Sequence, residues 1–230
     1  MKIGGLQKLT LIDYPQKPAC TVFLAGCNFR CPWCHSPGLV LPKQIEKTPE
    51  MEEEYFFEFL KKRKKVLEGV VVCGGEPTIH KELPQFIRKI KKIGYPVKLD
   101  TNGSNPHILK ELLEESLLDY IAMDIKAPLK DYKKATAVQI DPQLIKKSIE
   151  LVKTMEDYEF RTTLVPGIHS KEDLILIAKE IEGAKNYFLQ TFRGKITINN
   201  NYQEKNSFTK REMEEFKESV KKYVKNCEIR

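Results

Sequence analysis

No part of the sequence approaches the ~20 consecutive apolar residues needed to cross a bilayer as a helix; apolar runs such as Ala19–Ala25 are short. Twelve glycines and 13 prolines in 230 residues are too few for a collagen-like chain. Charge of one sign is also scarce. There are 39 Lys+Arg against 32 Asp+Glu, a net of +7, and Glu52–Glu54 and Glu114–Glu115 break up the basic clusters. That balance argues against specific nucleic-acid binding and for a solvated, slightly basic surface, although it remains compatible with an acidic partner. The start carries Lys2 but no apolar secretory core, so a cytoplasmic protein is expected. What is present is 41% hydrophobic residues, enough for a globular chain of this length to bury roughly 70% of its extended surface without disulfides.

Six cysteines are distributed unevenly. Cys27, Cys31 and Cys34 stand within the run Cys27-Asn28-Phe29-Arg30-Cys31-Pro32-Trp33-Cys34, whereas Cys20, Cys73 and Cys227 are scattered and read as buried thiols. Three soft thiolates on one loop suit an iron–sulfur cluster or zinc. A cubane held by three cysteines leaves one iron for an exchangeable ligand. Zinc would need a fourth donor, for which His35 is poorly spaced and Cys20, Cys73 or His80 would be remote. Unliganded thiols are the third reading.

Periodicity organises the rest. Ala19–Leu24 reads as a buried strand, followed by a loop over Asn28–Lys47, rich in proline, and a helix capped by Thr48 with Pro49 in its first turn. Strands are then predicted at Gly69–Cys73, Val97–Asp100, Tyr120–Ile125, Glu159–Val165 and Asn186–Thr191. Helices are predicted between them at Lys81–Ile93, Pro106–Glu115, Pro142–Met155 and Lys171–Ile181, with a final amphipathic helix at Thr209–Lys225. Six strands joined by five helical crossovers imply a parallel α/β sheet, either doubly wound or a partial barrel. A single domain over 1–230 is expected, with 1–18 as an N-terminal extension and 19–191 as the core.

The CxxxCxxC loop, with Trp33 just before its last cysteine, resembles the radical S-adenosylmethionine superfamily. Leu11-Ile12-Asp13-Tyr14-Pro15 followed by Thr21-Val22-Phe23-Leu24-Ala25-Gly26-Cys27 resembles the activating proteins of anaerobic ribonucleotide reductases within it. The resemblance implies an incomplete (βα)6 TIM-like barrel, and a [4Fe-4S] cluster on Cys27, Cys31 and Cys34 whose open iron is chelated by the methionine moiety of S-adenosylmethionine. Reductive cleavage would give methionine and a 5′-deoxyadenosyl radical, which would remove a Cα hydrogen from a glycine of a large partner enzyme.

Further positions match at the ends of successive strands. The resemblance implies that Gly74-Gly75-Glu76-Pro77 contacts the methionine ammonium, and that Asp100, Asp124 and Lys126 organise the methionine end and a bound cation or the target peptide. Without it, these would be a turn, a capping Asp and an ordinary ion pair. Arg161, Thr163 and Gln190 are weaker candidates for cofactor or substrate contacts, and Trp33 and Phe29 would shield the cluster or meet adenine. A flavodoxin or ferredoxin is the implied reductant. Three alternatives stay open: activation of another glycyl radical enzyme, radical modification of a small molecule, and a non-catalytic module stabilised by zinc or a cluster.

Overall fold

The computed structural model describes residues 1–230. Its eight strands form one sheet in sequence order, β1 to β8, antiparallel at its first pair and flanked by helices, which is a partial (βα)6 TIM-like barrel. The chain divides into two compact units, the first comprising Met1–Asn28, Gly38–Thr101 and His107–Ile121, and the second Phe29–Pro37, Asn102–Pro106 and Ala122–Arg230.

In the first unit, β1 (Ile3–Thr10) pairs antiparallel with β2 (Ala19–Leu24), which pairs in parallel with β3 (Gly69–Gly74), and β3 with β4 (Val97–Thr101). The near-continuous apolar runs of β2 and β3 follow from burial on both faces: Cys20 lies opposite Val70 and Val22 opposite Val72, all fully buried. The helix Leu83–Ile93 ends at Gly94, whose φ of 97° is the left-handed conformation that glycine supplies at a helix end. Strand β5 (Tyr120–Asp124) carries the division between the units, after Ile121.

In the second unit, β6 (Tyr158–Leu164), β7 (Asn186–Thr191) and β8 (Asn226–Ile229) are parallel. The helices Pro142–Lys153 and Lys171–Glu180 are capped by Asp141 and Ser170, the latter in a reciprocal capping box with Asp173.

Several boundaries correct the sequence reading. Residues 3–10 of the N-terminal extension form a strand, and Asn226–Ile229 adds another beyond the final helix, which stops at Val220. The first long helix starts at Glu53, because the Thr48 hydroxyl donates to the carbonyls of Gly38 and Gln44 (both 3.0 Å) and Met51 makes a bridge to Ile3. The loop over Asn28–Lys47 contains two short helical turns, Pro37–Val40 and Pro42–Ile45.

Candidate functional site

In the first unit, the end of β3 is clamped against the end of β2. The Gly75 N–H donates to Leu24 O (2.9 Å), the Glu76 N–H to Gly26 O (2.7 Å), and the Gly26 N–H to Leu39 O (2.8 Å). A Cβ on Gly74 would collide with the Leu24 backbone and one on Gly75 with Gly26 O, and Gly74 has a φ of 136°. Glycine here therefore serves a backbone approach of strand to strand, immediately before Cys27.

Glu76 is buried, and its Oε1 accepts from the Thr78 N–H (3.0 Å), the Thr78 hydroxyl (2.6 Å) and the Thr101 hydroxyl (2.7 Å). That carboxylate ties the turn after β3 to the end of β4. On β4, Asp100 pairs with Lys98, a lysine only 1% exposed whose ammonium lies 5.8 Å from the Tyr120 ring centroid. Strand alternation puts Lys98 and Asp100 on one face, a pairing legible in the sequence. His80 is the other polar group near the loop's start. Burial lowers its pKa, outweighing the raising effect of the Ala25 carbonyl, and its Nε2 is buried with no hydrogen-bond partner. Cys27 itself is half-buried.

The second unit holds Cys31, buried, and Cys34, half-buried. The Cys34 N–H closes a turn onto Cys31 O (2.9 Å), and the Arg30 N–H donates to Thr136 O (2.9 Å). From the segment after β7, the Ile198 N–H donates to Cys34 O (3.0 Å) and the Asn199 N–H to Pro32 O (2.9 Å). Trp33 and Phe29 are buried, Trp33 edge-on to His169 (5.8 Å) and Phe29 edge-on to Tyr132 (6.3 Å).

Asp124 lies between two cations, with Oδ2 3.0 Å from Lys126 Nζ and Oδ1 2.8 Å from Arg161 Nε. Burial alone would raise its pKa; Arg161 and then Lys126 outweigh it and hold the carboxyl well below the usual carboxylate range. Burial would likewise lower the Lys126 pKa, but Asp124 and the neighbouring Cys31 and Cys34 push it up. The Lys126 backbone is fixed as well: its N–H donates to Tyr132 Oη (3.2 Å) and its carbonyl accepts from His169 Nε2 (2.9 Å). His169 Nδ1 accepts from the Val165 N–H (3.0 Å), which sets that tautomer. On β6 and β7, the Thr163 hydroxyl donates to Gln190 Oε1 (3.3 Å).

Thus the first unit contains Cys27, Gly74, Gly75, Glu76 and Asp100, and the second contains Cys31, Trp33, Cys34, Asp124, Lys126, Arg161 and Gln190. Within neither unit do three or more His, Cys, Asp or Glu side chains form a group that could hold a metal ion. Lys98, Tyr132 and His169 belong to these networks and were not anticipated.

Residues 21–181 match the family model of the radical SAM superfamily. The chain belongs to that superfamily. This radical SAM oxidoreductase is 34% identical, over 99% of its length and 95% of the relative's, to a Methanocaldococcus jannaschii protein described as a candidate glycyl-radical enzyme activating enzyme. Among solved structures it resembles Streptococcus suis SuiB, with a TM-score of 0.68 and 13% identity over 91% of this chain. It also resembles a domain of pyruvate-formate lyase-activating enzyme from Bacteroides vulgatus, with a TM-score of 0.56 and 18% identity over 70% of this chain and 98% of that one. The chain spans about half of SuiB, 49%, and at these identities the two structures bear on fold. No helix is long and apolar enough to cross a membrane.

Proposed function

We propose that the protein is a glycyl-radical enzyme activase, a cytoplasmic catalytic domain of 230 residues that takes a [4Fe-4S] cluster and S-adenosylmethionine. The observation that carries this reading is the correspondence, along nearly the whole of both chains, with a relative described as such an activating enzyme. The finer assignment, to anaerobic ribonucleotide reductase, rests on Leu11–Pro15 and Thr21–Cys27 alone, and the matches favour the broader class.

The donor set suits the cluster. None of the three loop cysteines is in a disulfide, and the unpartnered His80 Nε2 flanks the start of the loop. When bound, the cluster supplies the electron that splits S-adenosylmethionine into methionine and a 5′-deoxyadenosyl radical. The chain's own work is to hold and orient. Cys27, Cys31 and Cys34 would bind three irons, and the backbone of Gly74 and Gly75 would face the methionine ammonium. Glu76 would brace that backbone, its Oε1 being engaged by Thr78 and Thr101. Asp124, Lys126 and Arg161 offer one carboxylate and two cations to the ammonium and carboxylate of the methionine end. Asp100 would hold a cation or meet the target peptide, Gln190 the cofactor or substrate, and Trp33 would shield the cluster. A flavodoxin or ferredoxin would deliver the electron.

Purified under strict anoxia, reconstituted and reduced, the protein should convert S-adenosylmethionine to 5′-deoxyadenosine and methionine. A fully loaded protein that leaves it intact would defeat the radical reading. Incubation with a glycyl radical enzyme should then produce a glycyl-radical EPR signal; its presence on formate-lyase-type partners and absence on the anaerobic reductase would discard the finer assignment. One zinc and no acid-labile sulfide would favour the non-catalytic module. Cys31→Ala should lose the cluster's iron and sulfide, and Cys227→Ala should keep them.

A further inference from the structure

We infer that Arg230 is a positioning residue for the cofactor end of the second unit, acting through the buried carboxylate of Glu159 on the guanidinium of Arg161. The inference rests on the proposed role of Asp124, Lys126 and Arg161 in receiving the methionine end of S-adenosylmethionine.

Five charges alternate in sign across β5 to β8. Lys126 meets Asp124 at 3.0 Å and Asp124 meets Arg161 at 2.8 Å. Arg161 Nη1 stands 3.8 Å from Glu159 Oε1, and Arg230 grips both oxygens of Glu159, Nη1 to Oε1 at 3.0 Å and Nη2 to Oε2 at 3.2 Å. Glu159 is 1% exposed. A carboxylate that deep requires compensation, and the two-pronged contact from Arg230 is the geometry that provides it best. Arg230 is itself held in place: its Cζ lies 3.3 Å from the Phe188 ring centroid, its N–H donates to Leu189 O (2.9 Å), and its carbonyl accepts from the Thr191 N–H (2.8 Å).

Two carboxylates therefore flank one guanidinium. Arg161 gives its Nε to Asp124 and stands 3.8 Å from Glu159, whose two oxygens Arg230 engages. Were Arg230 neutral, Glu159 would draw Arg161 across the remaining gap to hydrogen-bond distance. Asp124 would then lose its partner from β6, and the carboxylate of the incoming cofactor a correctly placed cation. Glu159 and Arg161 sit two apart on β6, so one strand face presents both the guanidinium and the carboxylate that would draw it away.

The test measures binding of S-adenosylmethionine to the anaerobically reconstituted protein by isothermal titration calorimetry, with iron and sulfide content verified. Arg230→Met, which keeps an unbranched stem against Phe188, should raise Kd about tenfold, the scale of one well-placed ionic contact. Adding Glu159→Gln should bring Kd back to within about twofold of wild type, since the competing charge is gone, and Arg230→Lys should lie between. Unchanged binding by Arg230→Met overturns the inference, and so does a double variant as weak as the single, which would mark a merely structural loss. If Arg230→Met fails to fold, Arg230→Lys decides: a Kd raised several-fold and restored by adding Glu159→Gln supports competition, and unchanged binding refutes it. Wild-type protein that carries its cluster yet binds no S-adenosylmethionine would instead defeat the cofactor reading on which the inference stands.

Discussion

Glu76 shows how one carboxylate can shape a turn. Its Oε1 gathers two hydroxyls and a backbone N–H in a buried place, so Glu76→Ala should cost about 2–4 kcal/mol and Thr101→Val about 1–2 kcal/mol, measured by urea unfolding. His169 gives a pH dependence of definite sign. Burial depresses its pKa below the ordinary 6.5, outweighing the raising effect of its bond to the Lys126 carbonyl, so between the two values the unfolded chain binds more protons than the folded one. Its stabilising contribution is complete above about pH 6.5 and declines as the pH falls below that. Unfolding midpoints between pH 8 and pH 5 should fall less steeply for His169→Gln than for wild type; parallel curves would contradict the assignment. The thiols divide as well. Burial pushes Cys20 and Cys227 up to about 12, so iodoacetamide at pH 8 should spare both in the native protein and label the loop cysteines when no cluster protects them.

At the scale of elements, the contact between the ends of β2 and β3 allows little variation. Gly75→Ala puts a methyl into the Gly26 carbonyl, and a loss of about 3 kcal/mol or more is expected from thermal unfolding, with lower cluster occupancy after reconstitution. The buried parallel strands were legible because burial on both faces leaves uninterrupted runs such as Val70–Val72. Strand β1 was not. Gly4-Gly5 opens it and its later residues alternate weakly, since they lie on the exposed side of an edge. Thr48-Pro49 carried a sound start signal, but the Thr48 hydroxyl is spent on the preceding turn and the helix begins later. In the candidate site, the cysteine spacing and the Gly-Gly-Glu-Pro turn are local and could be read. The Glu159–Arg230 pair spans 71 residues, and no local pattern announces it.

For the molecule as a whole, the chain passes between the two compact units after residues 28, 37, 101, 106 and 121, so neither unit is a continuous stretch that can be cut out intact. The cysteine loop is made before the backbone groups that clasp it: Thr136 for Arg30, and Ile198 and Asn199 for Cys34 and Pro32. Ile198 follows Cys34 by 164 residues, about 8–30 s of elongation at ordinary rates. The loop is thus made well before its clasp, and on the proposed reading a cluster would be held firmly only once Ile198 and Asn199 have folded against it. Ribosome-bound chains ending at Thr191 should leave Cys31 open to alkylation, whereas released full-length protein, folded without metal, should label it more slowly.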